Sequence, residues 1–84
     1  YAYKFYLELG YDSVVSSVAI TPDGNFMVLG IHDSSIKLWD IKSNREVKTF
    51  YGHSGTVSSV VITPDRNFIV SGSDDGTVKI WDIK

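Results

Sequence analysis

The chain has 84 residues, enough for one small domain whose core is marginal by size alone. Hydrophobic residues make up 43% and charged residues 21%, a globular balance rather than a disordered one. A net charge of −2 offers no basic footprint to nucleic acid or an acidic membrane surface, and the lack of cysteine excludes disulfides and thiolate zinc sites.

In chain order, Tyr3, Phe5, Leu7 and Leu9 alternate with Lys4, Tyr6 and Glu8, which predicts a period-2 strand. Its register on a neighbouring sheet stays open, because a one-residue slip inverts its faces. Val15–Ile20 (VSSVAI) is a β-branched run and predicts the next strand. Thr21-Pro-Asp-Gly-Asn25 is a turn: proline presets φ, and Asp and Asn bond their own backbone. Further strands follow at Phe26–Ile31 and, after the tight turn His32–Ser35, at Ile36–Ile41. The polar loop Lys42–Arg45 then leads to a fourth strand, Glu46–Tyr51. The same order returns with strands at Val57–Ile62, Phe68–Ser73 and Val78–Ile83. The turns between them are Thr63–Asn67 and Asp74–Thr77. Asp75-Gly76 is the stronger hairpin signal, since Gly takes φ > 0 without strain. No helical periodicity exceeds one turn.

That return is a true repeat. Residues 10–42 align with 52–84 without gaps at an offset of 42, and 19 of the 33 pairs are identical. Such a period signals a stacked-repeat architecture. Both parities of Val57–Ile62 carry apolar side chains, so each repeat folds as a sheet buried on both faces. Two such sheets leave two outer faces bare. About 500 Å² of apolar surface left in water forgoes on the order of 12 kcal/mol at roughly 25 cal/mol per Å². Net stabilities are only about 5–15 kcal/mol. The expectation is therefore that the chain alone is not a stable monomer. Either identical copies close a ring of six or eight sheets, or further sheets belong to a longer polypeptide.

Gly52-His53, Ser71-Gly72, Asp75-Gly76 and Trp81-Asp82 stand at spacings that resemble a pair of WD40 repeats. The resemblance covers the whole chain. It implies an all-β fold, a β-propeller with four antiparallel strands per blade. In that family the outermost strand precedes the Gly-His dipeptide, so sequence repeat and blade are offset. Residues 1–9 then form an outer strand completing the last blade. Residues 10–51 form the first repeat with its outer strand, and residues 52–84 form three inner strands of the second. Tyr3–Leu9 would pair with the free margin of Val78–Ile83, a strand-swapped (velcro-type) closure.

His53, Ser71 and Asp75 are also the residue types of a hydrolase triad. No G-x-S-x-G elbow is present, and a buried serine meets no substrate. The resemblance implies instead that His53, Ser71, Asp75 and Trp81 are a structural hydrogen-bond network. A buried indole N–H needs an acceptor. The first repeat keeps Asp33 and Trp39, but has Tyr11 and Leu29 where His53 and Ser71 stand, so its network is degenerate. Two histidines are too few for a metal centre, and His32 reads as an exposed turn residue. No phosphate loop is present.

The expected function is non-catalytic: a scaffold binding a protein or peptide, with no cofactor, metal, nucleic acid or membrane partner. By resemblance, partners dock where loops enter the first strand and turn between the second and third. The matching positions are Val14, Ser16 and His32 in the first repeat and Thr56, Ser58 and Asp74 in the second. The alternative is a structural homo-oligomeric ring with no dedicated ligand. The absence of cysteine fits an intracellular setting, cytoplasmic or nuclear. No apolar run approaches the roughly 20 residues of a spanning helix, and no signal-peptide pattern is seen.

Overall fold

The computed structural model describes residues 14–83. The expected strand Tyr3–Leu9, its pairing, and Tyr11 lie outside the described residues. The strands are β1 (Val15–Ile20), β2 (Phe26–Ile31), β3 (Ile36–Asp40), β4 (Arg45–Phe50), β5 (Val57–Ile62), β6 (Phe68–Ser73) and β7 (Val78–Asp82). They form two antiparallel sheets, β1-β2-β3-β4 and β5-β6-β7, each a meander. The fold is all-β, as the alternation predicts. The ends differ slightly from the sequence reading: β3 and β7 stop at the aspartate of the Trp-Asp pair, and Arg45 belongs to β4 rather than to the loop. Asp40 explains the early stop of β3, because its carboxylate accepts from Lys42 N–H (3.0 Å) and Ser43 N–H (3.2 Å) and turns the chain.

The repeat is visible bond for bond. In each Thr-Pro-Asp turn the threonine hydroxyl donates to the aspartate, Thr21 to Asp23 at 2.6 Å and Thr63 to Asp65 at 2.7 Å. The same hydroxyls accept from Phe26 and Phe68 N–H, both at 3.1 Å. Both first strands carry a bulge, between Val15 and Ser17 and between Val57 and Ser59. That bulge resets which side chains face the neighbouring sheet.

The core lies between the two sheets. Val28, Ile36, Leu38 and Phe50 of the first meet Val57, Val60, Ile62 and Ile69 of the second. Among the described residues, the faces turned away from this seam carry exposed apolar side chains. On the first blade Val18 and Ile20 are 59% and 60% exposed; on the second, Val78 and Ile80 are 73% and 70% exposed. The two uncovered apolar faces expected from the repeat are thus present among the described residues.

Candidate functional site

The second blade holds a buried polar relay running from β5's approach loop to β7. Trp81 Nε1–H donates to Ser71 Oγ at 2.8 Å. Ser71 Oγ lies 2.7 Å from His53 Nε2, and His53 Nδ1 lies 3.1 Å from Asp75 Oδ2. The proton order follows from donor inventory. A carboxylate only accepts, so Nδ1 carries the hydrogen; in the neutral ring Nε2 then accepts, and Ser71 donates to it. Every polar atom along the line is used, the condition under which a buried network adds rigidity. The rings also pack: Trp81 meets His53 edge-on at 5.8 Å and Phe50 at 5.6 Å. Gly52 is required beside this stack, because a Cβ there would sit 2.7 Å from Trp81 Cη2.

Asp75 is the anchor of the turn as well as of the relay. It accepts from the Thr77 hydroxyl (2.5 Å), Thr77 N–H (2.8 Å), Ser54 N–H (3.0 Å) and His53. The Thr77 hydroxyl bond, then the Ser54 and Thr77 amides and His53, hold its carboxyl well below the usual carboxylate range, against a smaller effect of desolvation. Thr77 also lies 3.2 Å from His53 Nδ1, and the sequence reading missed it as a member of the network. The signal was available: Ser35 occupies the matching position and bonds Asp33 through both its amide (3.0 Å) and its hydroxyl (2.5 Å).

A carboxylate held low contributes stability that is complete above its unfolded value near 3.9 and is lost as pH falls toward the folded value. The melting temperature of the wild-type chain is therefore expected to drop as pH is lowered from about 5 toward 2. Asp75→Asn, melted over the same range, should show a shallower drop, with the two curves converging at the acid end. Parallel curves would remove Asp75 from the acid response. Some slope remains in the variant, since Asp23, Asp33 and Asp65 are held low by turn hydrogen bonds led by Thr21, Ser35 and Thr63 respectively.

The Ser-His-Asp connectivity matches a catalytic triad, but the environment does not. Ser71 is 1% exposed, and its oxygen already accepts from the Trp81 indole N–H. In the first blade Leu29, 4% exposed, replaces the serine, and Trp39 Nε1 is buried with no partner among the described residues.

The six partner-binding positions inferred from the sequence fall at one end of the two sheets. Val14 C=O accepts from His32 N–H and Thr56 C=O from Asp74 N–H, both at 2.9 Å. The Thr56 hydroxyl reaches His32 C=O at 3.5 Å, linking the two blades' loops. Val14, His32 and Asp74 are exposed and Thr56 is half-buried. Ser16 and Ser58 sit further along the same edge, with their hydroxyls engaged by backbone carbonyls: Ser16 reaches Gly30 and Val57, and Ser58 reaches Gly72. At the opposite end a cleft of about 300 Å³ opens between the blades, lined by Phe26, Leu38, Ile62, Asp65, Arg66, Asn67 and Ile83.

Comparison with known proteins agrees with this geometry. The family described as "WD domain, G-beta repeat" matches residues 4–40 and 44–82. Ribosome assembly protein 4 of Saccharomyces cerevisiae is 42% identical over 41 residues, covering 49% of this chain and 8% of the relative. General transcriptional corepressor TUP1 of the same yeast is 38% identical over 42 residues, 50% of this chain and 6% of the relative. Cell division cycle 20.1, cofactor of APC complex, of Arabidopsis thaliana is 40% identical over 38 residues, 45% of this chain and 8% of the relative. Each match thus spans less than a tenth of the relative's length. With both repeats matched in sequence and both blades formed in the structure, the chain belongs to the WD40 repeat family.

Proposed function

We propose that the chain is a non-catalytic scaffold for protein–protein interaction, acting as part of a larger or oligomeric β-propeller. The observation that carries this reading is the loop end itself. Val14, His32 and Asp74 stand exposed on loops that short backbone hydrogen bonds tie to rigid sheets. Loops held this way suit recognition. The names of two relatives, a corepressor and a cofactor of a complex, point the same way. A net charge of −2 favours a protein or peptide partner over nucleic acid or a membrane. The setting is intracellular, cytoplasmic or nuclear, in keeping with relatives named for ribosome assembly and transcriptional corepression. His53, Ser71, Asp75 and Trp81, with Asp33 and Trp39 in the first blade, serve structure. Residues 1–9 complete the last blade, 10–51 form the first and 52–84 the inner part of the second. β7 has no outer neighbour among the described strands, whereas its counterpart β3 pairs with β4. The Tyr3–Leu9 segment supplies that neighbour in a closed ring.

Replacing His32 and Asp74 together with alanine tests the loop end. The double variant should lose a discrete set of lysate proteins retained by the wild-type chain, while its melting temperature stays within about 2 °C, as for ordinary surface changes. An unchanged set of retained proteins would rule the site out.

A further inference from the structure

We propose that the cleft at the far end of the seam is a docking site for a protein partner that lays an aliphatic side chain into it and a neighbouring lysine or arginine against its mouth. The site rests on the scaffold reading, and adds to it a second surface with a partner of stated chemistry. The cleft arises from the way the two blades meet. Near the loop end the seam is tight: Ser17 Oγ accepts from Val60 N–H at 3.2 Å, and a Cβ on Gly30 would meet Val57 Cγ1 at 2.8 Å. At the other end the blades part, and about 300 Å³ opens between Phe26 and Leu38 of one and Ile62 and Ile83 of the other. That is the lower end of the range for ligand pockets. The walls are apolar. Leu38 and Ile62 are buried, while Phe26 and Ile83 are half-buried against the core.

The mouth is charged, and unevenly so. Asp23 and Asp65 stand at matching places in the two Thr-Pro-Asp turns. Asp65 Oδ1 accepts from the Thr63 hydroxyl (2.7 Å) and Asn67 N–H (3.0 Å), as Asp23 Oδ1 accepts from the Thr21 hydroxyl (2.6 Å) and Asn25 N–H (3.0 Å). Bonds of this kind favour the ionised carboxylate. Against the two carboxylates stands the guanidinium of Arg66, which pairs with Asp23 at 3.4 Å. Asp65 lines the cleft and is in no ion pair among the described residues. The backbone of Arg66 marks the place as well. Its φ is 63° where the first repeat has Gly24 at 74°. A side chain held in that region is strained, and such strain clusters at functional sites. Here it sets the guanidinium over the Phe26 ring, 5.4 Å from its centre, at the edge of the cleft. The mouth thus already holds one cation between an aromatic face and a carboxylate. A partner's cation repeats that chemistry on Asp65, and its aliphatic neighbour fills the space between Leu38 and Ile62. An acidic segment would meet two carboxylates instead.

The experiment is an NMR titration of the isotope-labelled protein carrying both repeats, in the polypeptide or assembly that holds it folded. Three capped peptides serve as probes: acetyl-Ala-Leu-Lys-Ala-amide, a version with glutamate for the lysine, and a version with alanine for the leucine. The first should move the amide signals of Asn67 and Ile83 and leave those of His32 and Asp74 in place. The glutamate version should bind at least about tenfold more weakly, because like charges then face each other. The alanine version should lose a similar factor of about ten through the missing apolar contact. Asp65→Asn should erase the preference for lysine over glutamate. Arg66→Gly copies Gly24, relieves the backbone and frees Asp23, so it should bind the lysine peptide at least as tightly as the wild type. Should Asp65→Asn fail to fold, the three peptides on the wild type decide the case. Still signals at Asn67 and Ile83 with about 10 mM lysine peptide, where a millimolar site is mostly filled, would overturn the cleft site. So would equal binding of the three peptides, an undiminished preference in Asp65→Asn, weaker binding by Arg66→Gly, or movement confined to His32 and Asp74. A cleft that binds as expected, while the His32 and Asp74 double variant retains its lysate proteins, counts against the loop end alone.

Discussion

Ser71→Ala is expected to lower the unfolding free energy by about 2–6 kcal/mol, because one deletion leaves two buried groups unsatisfied at about 1–3 kcal/mol each. Trp81 Nε1–H loses its acceptor and His53 Nε2 loses its donor in a site where Ser71 is 1% exposed. For a domain of this size each kcal/mol moves the melting point by roughly 4–8 °C, so thermal melts at fixed protein concentration should fall by at least about 8 °C. Trp39→Phe supplies the contrast. Trp39 Nε1 is buried without a partner among the described residues, so its loss breaks no hydrogen bond and removes a desolvated donor. That variant should cost less than Trp81→Phe, which deletes a 2.8 Å bond. Equal costs for the two tryptophans would show that the relay contributes nothing beyond ring packing. A Ser71→Ala chain with native stability would do the same.

The blade pattern was readable in the sequence because its determinants are local and written twice. Thr21–Asn25 and Thr63–Asn67 set the same turn through short-range side-chain bonds, and alternation of valine and isoleucine set the strands. Two kinds of feature were not readable that way. The first is backbone conformation at degenerate turn positions. Ser34 has φ 80° where Gly76 has φ 87°, and Arg66 has φ 63° where Gly24 has φ 74°. A left-handed residue other than glycine costs about 1–2 kcal/mol. At Arg66 the side chain pairs with Asp23 at 3.4 Å and lies over the Phe26 ring at 5.4 Å. Both partners belong to the other repeat, so no local pattern announces them. The second is the use of Ser16 and Ser17. The Ser16 hydroxyl, at a position the family resemblance assigns to partner binding, also reaches the Gly30 and Val57 carbonyls. A one-residue bulge at Val15/Ser17 decides that orientation, and bulges leave no composition signal.

Leu38→Ala and Ile80→Ala occupy the same register in the two repeats, and their comparison measures what a neighbouring blade is worth. Leu38 is 3% exposed within the seam core, so truncation should cost about 2–5 kcal/mol from lost transfer energy and the cavity left behind. Ile80 is 70% exposed, and in an isolated chain its truncation should fall within about 0.5 kcal/mol of neutral. If a second copy covers that face, the two positions become alike. Chemical unfolding at two protein concentrations about a hundredfold apart separates the cases, since assembly stabilises by mass action. At the higher concentration Ile80→Ala should approach the cost of Leu38→Ala; on dilution it should fall to near zero while Leu38→Ala stays unchanged. A cost at Ile80 that ignores concentration would mean the face is covered from within the same chain. A cost near zero at both would mean that it stays bare.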